Sequence, residues 1–165
     1  MGHKLTRQDI QKMKEEIEHR KVVVRKELLE QVKEARAHGD LSENFEYHAA
    51  KKEKNRNESR IRYLERMIRT AEVVSADVPE DQIGLNKTVT LYFEEEGEEE
   101  EFSFVTTVLT DSMKNRVSIE SPLGTALMGH RTGDRVYVQV NPQYGYYVEI
   151  RKIIPFEEDL PLNKF

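Results

Sequence analysis

The sequence contains no cysteine, so the chain can form neither a disulfide framework nor a thiolate nucleophile. No apolar run approaches the roughly 20 residues that a membrane-spanning helix requires. The charged N-terminus also lacks the apolar segment of a secretory signal. Together these absences predict a cytoplasmic protein without a membrane partner.

The common signatures of catalysis are absent as well. The sequence has no nucleophile elbow, phosphate-binding loop or Cys/His zinc pattern. His38 and His48 lack the HExxH spacing of zinc enzymes, and we interpret both as solvated or facing a partner. We therefore do not expect the chain to be an enzyme on its own.

Charge is what the sequence has in abundance. Charged residues make up 35% of the 165 residues and apolar residues only 37%, which favours long exposed helices over one compact globule. Residues 1–75 hold 18 Lys and Arg against 14 Asp and Glu, a net charge of +4. Residues 76–165 hold 8 against 17, a net charge of −9. The mildly basic first half is compatible with a phosphate backbone as partner.

The first half has helical periodicity. Thr6 and Asp9 have the spacing of a capping box that opens a helix, and Gly39 is a suitable terminator because glycine tolerates the left-handed conformation. Between them, one helix face carries apolar residues in steps of three and four, with Lys21 filling one position. The apolar members are Ile10, Met13, Ile17, Val24, Leu28, Val32 and Ala35.

A second helix is predicted to begin within Asp40–Glu43. Its stripe alternates steps of three and four, as in a heptad, and consists of Tyr47, Ala50, Lys54, Asn57, Ile61, Leu64, Ile68 and Ala71. Two helices of about 30 residues joined by a tight turn form an antiparallel hairpin that extends about 45 Å. We expect this coiled-coil hairpin to occupy residues 1–75.

Residues 76–82 have the composition of a linker, and the period changes to two over residues 83–165. The β-rich runs are Thr88–Phe93, Phe102–Leu109, Val117–Glu120, Val136–Val140 and Tyr146–Ile154. Ser121 and Pro122 favour a short helix, as its cap and its first residue. The predicted fold class is α+β: a long helical hairpin followed by a small antiparallel sheet with one short helix.

The turn of the hairpin is acidic. Asp40, Glu43 and Glu46 follow one another in steps of three, and carboxylate oxygens are suitable ligands for Mg²⁺. Asp40 with Glu43 also has the spacing of a capping box, so capping of the second helix is an alternative role. Leu41 at an exposed turn indicates a partner surface. Two carboxylates alone bind Mg²⁺ weakly, which is chemically reasonable if another molecule supplies most of the site.

Basic residues follow the turn. Residues 51–60 hold five basic and two acidic side chains, with Arg36 opposite them across the hairpin. This stretch is either a patch that tracks phosphates or a solvated helix face. Tyr47 either stacks on a base or packs between the helices. The acidic residues 94–101 predict a solubilising turn.

The string GDLSENFEYHAAK at Gly39–Lys51 resembles the signature of the Gre family of bacterial transcript-cleavage factors. A second resemblance begins at Ser121-Pro122-Leu123-Gly124 and continues to Gly133-Asp134, in the family's C-terminal domain. The acidic overall charge is closer to the GreA type than to the more basic GreB type. Phe45 departs from the family pattern, in which a small residue is common.

The resemblance implies a mechanism. The coiled coil would enter the secondary channel of RNA polymerase, while an FKBP-like domain docks at its entrance through Ser121 and Pro122. Asp40 and Glu43 would help to hold a second Mg²⁺, shared with the polymerase, and orient the water that cleaves backtracked RNA. The residues implied to support the tip are Leu41, Ser42, Asn44 and Glu46. Those implied to contact the 3′ end of the nascent RNA are Arg36, Tyr47, Lys51 and Lys52.

Other functions stay open at this point. A noncatalytic regulator would fill the channel and inhibit the polymerase, as some Gre-like paralogues do. The FKBP-like resemblance alone suggests a proline isomerase, and a plain coiled-coil adaptor is a further alternative. In every case we expect the free protein to be monomeric and to bind no cofactor stably.

Overall fold

A computed structural model describes residues 2–39, 44–156 and 159–164. The chain divides into two compact units, one comprising Ile10–Ala71 and the other combining Gly2–Asp9 with Glu72–Lys164. The predicted α+β class is confirmed, because the first unit is a helical hairpin and the second a β-sheet with a short helix. The domain limits of 1–75, 76–82 and 83–165 stay a prediction. Within the described ranges, every helix is too short or too polar to span a lipid bilayer.

The first arm of the hairpin is helical throughout but contains a π-helical turn. α1 (Arg7–His19) continues through the π-turn Arg20–Val24 into α2 (Arg25–Ala37). The predicted capping box opens α1. The Asp9 carboxylate accepts a hydrogen bond from the Thr6 backbone N–H at 3.0 Å, and the Thr6 hydroxyl accepts one from the Asp9 N–H at 3.1 Å.

The second arm is α3 (Phe45–Arg69). The prediction that it begins within Asp40–Glu43 is wrong, because Asn44 occupies the cap position: its side-chain oxygen accepts the Tyr47 backbone N–H at 3.0 Å. The buried residues of α3 share one face and are Tyr47, Ala50, Asn57, Ile61, Leu64 and Met67. Most of the predicted stripe is therefore confirmed. The predicted Lys54, Ile68 and Ala71 are only partly buried, and Met67 is buried instead.

A polar network occupies the middle of the hairpin. Asn57 is only 3% exposed, and its oxygen accepts a hydrogen bond from the Arg20 guanidinium at 2.9 Å. The Asn57 amide in turn donates to the Arg20 carbonyl at 3.3 Å. Glu16 accepts hydrogen bonds from Arg20 and Arg60, both at 2.7 Å. The two arms are therefore joined here by hydrogen bonds and ion pairs, which specify which residues lie opposite each other.

The π-turn changes the predicted stripe of the first arm. Lys21 was expected on the inner seam, but its side chain is 41% exposed and pairs with Glu65 at 3.1 Å. A π-turn accommodates more residues per turn than an α-helix, so the position opposite Asn57 is taken by Arg20. Val22, in the same turn, is 63% exposed.

The second unit begins with a small parallel sheet. β1 (Lys4–Leu5) pairs with β2 (Glu72–Val73). Asp9 is buried beside it, and its carboxylate accepts a hydrogen bond from the Thr106 hydroxyl at 2.7 Å. The capping carboxylate of α1 therefore also fastens the N-terminal segment to this unit.

A five-stranded sheet forms the body of the second unit. Its strands are β3 (Lys87–Phe93), β4 (Glu98–Val105), β5 (Arg116–Ser118), β6 (Arg135–Asn141) and β7 (Tyr144–Pro155). Their order in space is β5-β4-β3-β7-β6. β4 and β5 are parallel and the other neighbours antiparallel, so the sheet is mixed where the sequence predicted an antiparallel one. Two 3₁₀ turns between β4 and β5 form the crossover that a parallel pair needs.

One face of this sheet buries a continuous apolar core. Its members are Ile83, Leu85, Val89, Leu91, Phe104, Ile119, Leu127, Val136, Val138, Val148 and Ile150. Leu127 comes from the short helix α4 (Pro122–Leu127), which therefore covers this face. Because side chains alternate along a strand, the residues between the core positions point to the opposite face.

Candidate functional site

The predicted acids of the hairpin turn, Asp40 and Glu43, lie outside the described residues, as do Leu41 and Ser42. Their role as Mg²⁺ ligands stays a prediction. Among residues 2–39, 44–156 and 159–164, no group of three or more His, Asp or Glu side chains is arranged to hold a metal ion. The structure instead defines how the chain enters and leaves the turn.

Asn44 fastens the two sides of the turn to each other. Its amide donates a hydrogen bond to the Ala35 carbonyl in α2 at 2.6 Å, while its oxygen caps α3 through the Tyr47 N–H. One side chain thus satisfies an acceptor at the end of the first arm and a donor at the start of the second. After the end of α2, Gly39 has a φ of 110°, in the left-handed region that glycine tolerates at a helix end. Since Asn44 fills the cap position, α3 does not need Asp40 or Glu43 as its cap.

Tyr47 lies beneath the turn as a packing residue. It is 8% exposed and forms a buried cluster with Val32, Ala35 and Ala50. The Arg36 guanidinium lies 5.6 Å from the centre of its ring, and the Lys51 ammonium lies 6.0 Å from it. This burial favours the packing role over base stacking.

Neighbouring cations lower the pKa of the Tyr47 hydroxyl. A hydrogen bond with Arg36 lowers the pKa of Tyr47 below its ordinary value, outweighing the opposite effect of burial. The positive charges of Lys51 and Arg36 act in the same direction as that hydrogen bond. Arg36 from α2 and Lys51 from α3 therefore converge on one aromatic residue, and their contact with RNA stays a prediction.

The remaining predicted tip residues are exposed. Glu46 lies in the first turn of α3, where the helix dipole favours a negative charge. Its carboxylate is 3.7 Å from the His38 ring nitrogen across the turn, with both side chains more than half exposed. Such an exposed pair contributes little to stability. Lys52 is exposed as well, and is free to meet a phosphate.

Two rings at the start of α3 are exposed: His48, as the sequence predicted, and Phe45, whose exposure was not predicted. Phe45 is 87% exposed, and His48, one turn further along, is exposed too. The helical period was a signal that could have predicted the exposure of Phe45, because it places positions 45 and 48 away from the buried positions 47 and 50. For Tyr47 the sequence left stacking and packing open, and its burial on the inner stripe supports the packing alternative.

The second predicted site is the start of α4. The Ser121 hydroxyl accepts the Gly124 backbone N–H at 3.0 Å and donates to the Ser118 carbonyl at 2.6 Å, so the predicted capping role is confirmed. Pro122 occupies the first turn of α4 and is exposed. A Cβ atom at Gly124 would lie 2.4 Å from the Ser118 carbonyl oxygen, so only glycine allows this close approach. The motif thus builds a rigid, partly exposed corner.

Two known sequence families match the chain. The family described as "Transcription elongation factor, N-terminal" matches residues 3–73. The family described as "Transcription elongation factor, GreA/GreB, C-term" matches residues 78–155. This chain belongs to the GreA/GreB family of transcription elongation factors. The resemblance inferred from the motif at Gly39–Lys51 is confirmed.

Individual GreA proteins match over most of their length. Transcription elongation factor GreA of Thermoanaerobacter pseudethanolicus is 44% identical over 137 residues, covering 82% of this chain and 87% of the relative. GreA of Streptococcus sanguinis is 43% identical over 150 residues, covering 90% and 93%. Both names agree with the predicted likeness to the GreA type.

Among solved structures, GreA factor homolog 1 of Thermus thermophilus is 26% identical and covers 93% of this chain and 98% of that one, with a TM-score of 0.43. Membership of the GreA/GreB family implies an interaction with RNA polymerase.

Proposed function

We propose that this chain enters the secondary channel of bacterial RNA polymerase, in the cytoplasm, and stimulates Mg²⁺-dependent cleavage of backtracked nascent RNA. The β-rich unit docks on the polymerase through the exposed corner at Ser121 and Pro122. The hairpin carries Asp40 and Glu43 to the active centre. The nuclease is the polymerase itself, and the chain supplies carboxylates that complete its site.

The observation that supports this proposal best is the double hydrogen bonding of Asn44. It joins the Ala35 carbonyl to the start of α3 and fills the cap position. The acids at positions 40 and 43 are then not needed to begin the helix, so their charges can serve a partner. A turn whose two sides are fastened also loses less conformational entropy when it meets its target.

The acids have chemistry suited to this task. Asp40 and Glu43 offer hard oxygen donors of the kind Mg²⁺ prefers, and two such donors fit a metal that is shared with another protein rather than held alone. When bound, Mg²⁺ neutralises developing charge on the phosphate and lowers the pKa of a coordinated water. The carboxylates of the chain would orient that water and accept its hydrogen bonds.

The basic side chains around Tyr47 suit the displaced RNA strand. Arg36 and Lys51 converge from opposite arms on the Tyr47 ring, and Lys52 is exposed one residue further along. Phosphates attract such groups without regard to sequence. Because both cations lie near the same ring, their positive charges are concentrated beside the turn.

A defined transcription complex tests the proposal. Purified RNA polymerase is stalled in a backtracked state with labelled RNA, and RNA length is followed with and without the protein, in Mg²⁺ and in excess chelator. We expect faster shortening of the RNA only when protein and Mg²⁺ are both present. Slower nucleotide addition without any shortening would instead identify a noncatalytic inhibitor that occupies the channel.

A further inference from the structure

The exposed side of α3 beside the turn combines two rings, a small residue and a cation. Phe45, His48, Ala49 and Lys52 are all exposed. At about 100° per residue, Phe45 and Lys52 lie about 20° apart around the helix axis, with His48 and Ala49 on either side of that line. These four residues are here called the outer α3 face, and among them His48 also contacts the buried Tyr47.

Packing within the hairpin does not explain this face. Phe45 is 87% exposed, and phenylalanine forms helices less readily than alanine does. The ring of His48 meets the edge of the Tyr47 ring at 5.3 Å between centres, which holds it in place while leaving it exposed. Ala49 leaves room beside both rings for a planar group.

The charge of the outer α3 face is positive. Glu53, the neighbour of Lys52, pairs with Arg56 at 2.9 Å. Within the described part of the chain, Lys52 itself has no ion-pair partner. Lys52 lies about two helical turns from Phe45 and about one turn from His48. An exposed ring and a cation on one face suit a nucleotide, in which a sugar joins a flat base to a phosphate. Proteins that hold single-stranded nucleic acid combine these same two groups.

We propose that the outer α3 face binds one nucleotide of single-stranded RNA, with the base against Phe45 and the phosphate at Lys52. This inference rests on the proposed function, because the nucleotide is taken from the displaced 3′ segment of backtracked RNA. His48 borders the base on one side. Stacking, which the sequence left open for Tyr47, is assigned here to Phe45, while Tyr47 packs within the hairpin.

The test uses the full chain with backtracked polymerase whose RNA carries a photoreactive 4-thiouridine at its 3′ end. The variants are Phe45→Leu, which keeps apolar bulk but removes the ring, and Phe45→Trp, which keeps a stacking surface. Met113→Leu is the control, since Met113 is 91% exposed in the other unit. Loss of one stacked base is expected to raise the protein concentration needed for half-maximal cleavage about tenfold in Phe45→Leu. Phe45→Trp and Met113→Leu are expected to match the parent chain.

The crosslink gives a readout that is independent of cleavage. We expect the 3′ base to crosslink within residues 44–52, and Phe45→Leu to reduce that yield while its helical circular dichroism is unchanged. Unaltered cleavage and crosslinking in Phe45→Leu overturn the inference and leave the proposed function intact. If Phe45→Leu weakens binding to complexes that are not backtracked by the same factor, the inference is also overturned. The outer α3 face would then contact polymerase protein instead of RNA. A normal crosslink without any cleavage overturns the proposed function and supports the nucleotide site.

Discussion

The two units of the chain are stabilised in different ways. The β-rich unit has one continuous apolar core, in which Phe104, Val89 and Leu91 are fully buried. The hairpin has a narrow apolar stripe that is interrupted at its middle by Asn57 and the ion pairs around it. Apolar burial is strong but non-directional, whereas hydrogen bonds and ion pairs are weaker and specify partners.

This difference matches the tasks of the two units. A sheet that presents one corner at α4 needs a stable body, and the core supplies it. A hairpin proposed to present its turn to another protein needs its two arms in one fixed alignment, in which Asn44 reaches the Ala35 carbonyl. The contacts of Arg20 with Asn57 and of Arg25 with Glu58, the latter at 2.8 Å, supply that alignment.

Phe104→Ala is expected to have the largest effect on stability. Removing this fully buried ring should lower the free energy of unfolding of the β-rich unit by about 3–5 kcal/mol. Urea unfolding followed by near-ultraviolet circular dichroism measures it, because five of the seven tyrosines lie in residues 72–164. Exposed Met113→Ala is the matched control. A loss below 1 kcal/mol would show that the core is not the main support of this unit.

Asn57→Ala tests how much the polar network in the middle of the hairpin contributes to stability. It removes both hydrogen bonds with Arg20 and leaves that residue's carbonyl without this partner, so a loss of about 1–3 kcal/mol is expected. Helical ellipticity during thermal unfolding provides the measurement. Asn55→Ala, at an exposed position two residues earlier, should be nearly neutral. Equal stability of the two variants would mean that the network contributes nothing.

Two substitutions of Asn44 separate the effects of its two hydrogen bonds. Asn44→Ala loses the cap and the bond to Ala35, at a cost of about 0.5–2 kcal/mol. Asn44→Asp keeps the cap oxygen but loses the amide donor. Hydrogen exchange at the Tyr47 amide should therefore accelerate in Asn44→Ala and stay slow in Asn44→Asp. Identical exchange in both variants would contradict the capping role.

The hairpin should also lose stability in acid through Glu16. Burial alone would raise the pKa of Glu16, but hydrogen bonds from Arg60 and Arg20 outweigh it and lower the pKa below its ordinary value of 4.5. Because the folded-state pKa is lowered, the stabilisation is present above pH 4.5 and is lost as the pH falls through the folded-state value.

Thermal unfolding between pH 7 and pH 3 measures this small effect. Glu16→Gln should show a shallower fall than the parent chain, whereas Glu15→Gln, at an exposed position, should follow it. Parallel curves for all three proteins would exclude Glu16 as the source of the acid sensitivity.

Much of the fold could be predicted because the spacing of apolar residues follows the helical and strand periods. The step of three and four located both arms, the capping box at Thr6 and Asp9 marked the start of α1, and alternation located at least half of each strand of the main sheet. The prediction of a turn over residues 94–101 is wrong for Glu98–Glu101, which form the first half of β4 and pair with β3. The π-turn at Arg20–Val24 could not be predicted, because it depends on contacts with residues 37 positions away in α3. The parallel pairing of β4 with β5 has no local signal either.

The site was predictable in its residue types but less so in their roles. In sequence, Asp40 with Glu43 has the spacing of a capping box and Asn44 is also a preferred cap residue, so local preference does not choose between them. The bond of Asn44 to Ala35 decides the choice, and it is a tertiary contact. Tyr47 illustrates the opposite case, since its place on the inner stripe indicated burial although its chemistry suggested stacking.

The most direct test of the proposed function is to remove the charge of the turn while keeping its size. Asp40→Asn with Glu43→Gln should nearly abolish RNA shortening in backtracked complexes, with polymerase binding, measured by competition with the parent chain, unchanged. The helical circular dichroism should also be unchanged, because α3 is capped by Asn44 and does not need either acid as its cap. Normal cleavage by the double variant would contradict the account, as it would show that the carboxylates do not take part in the reaction.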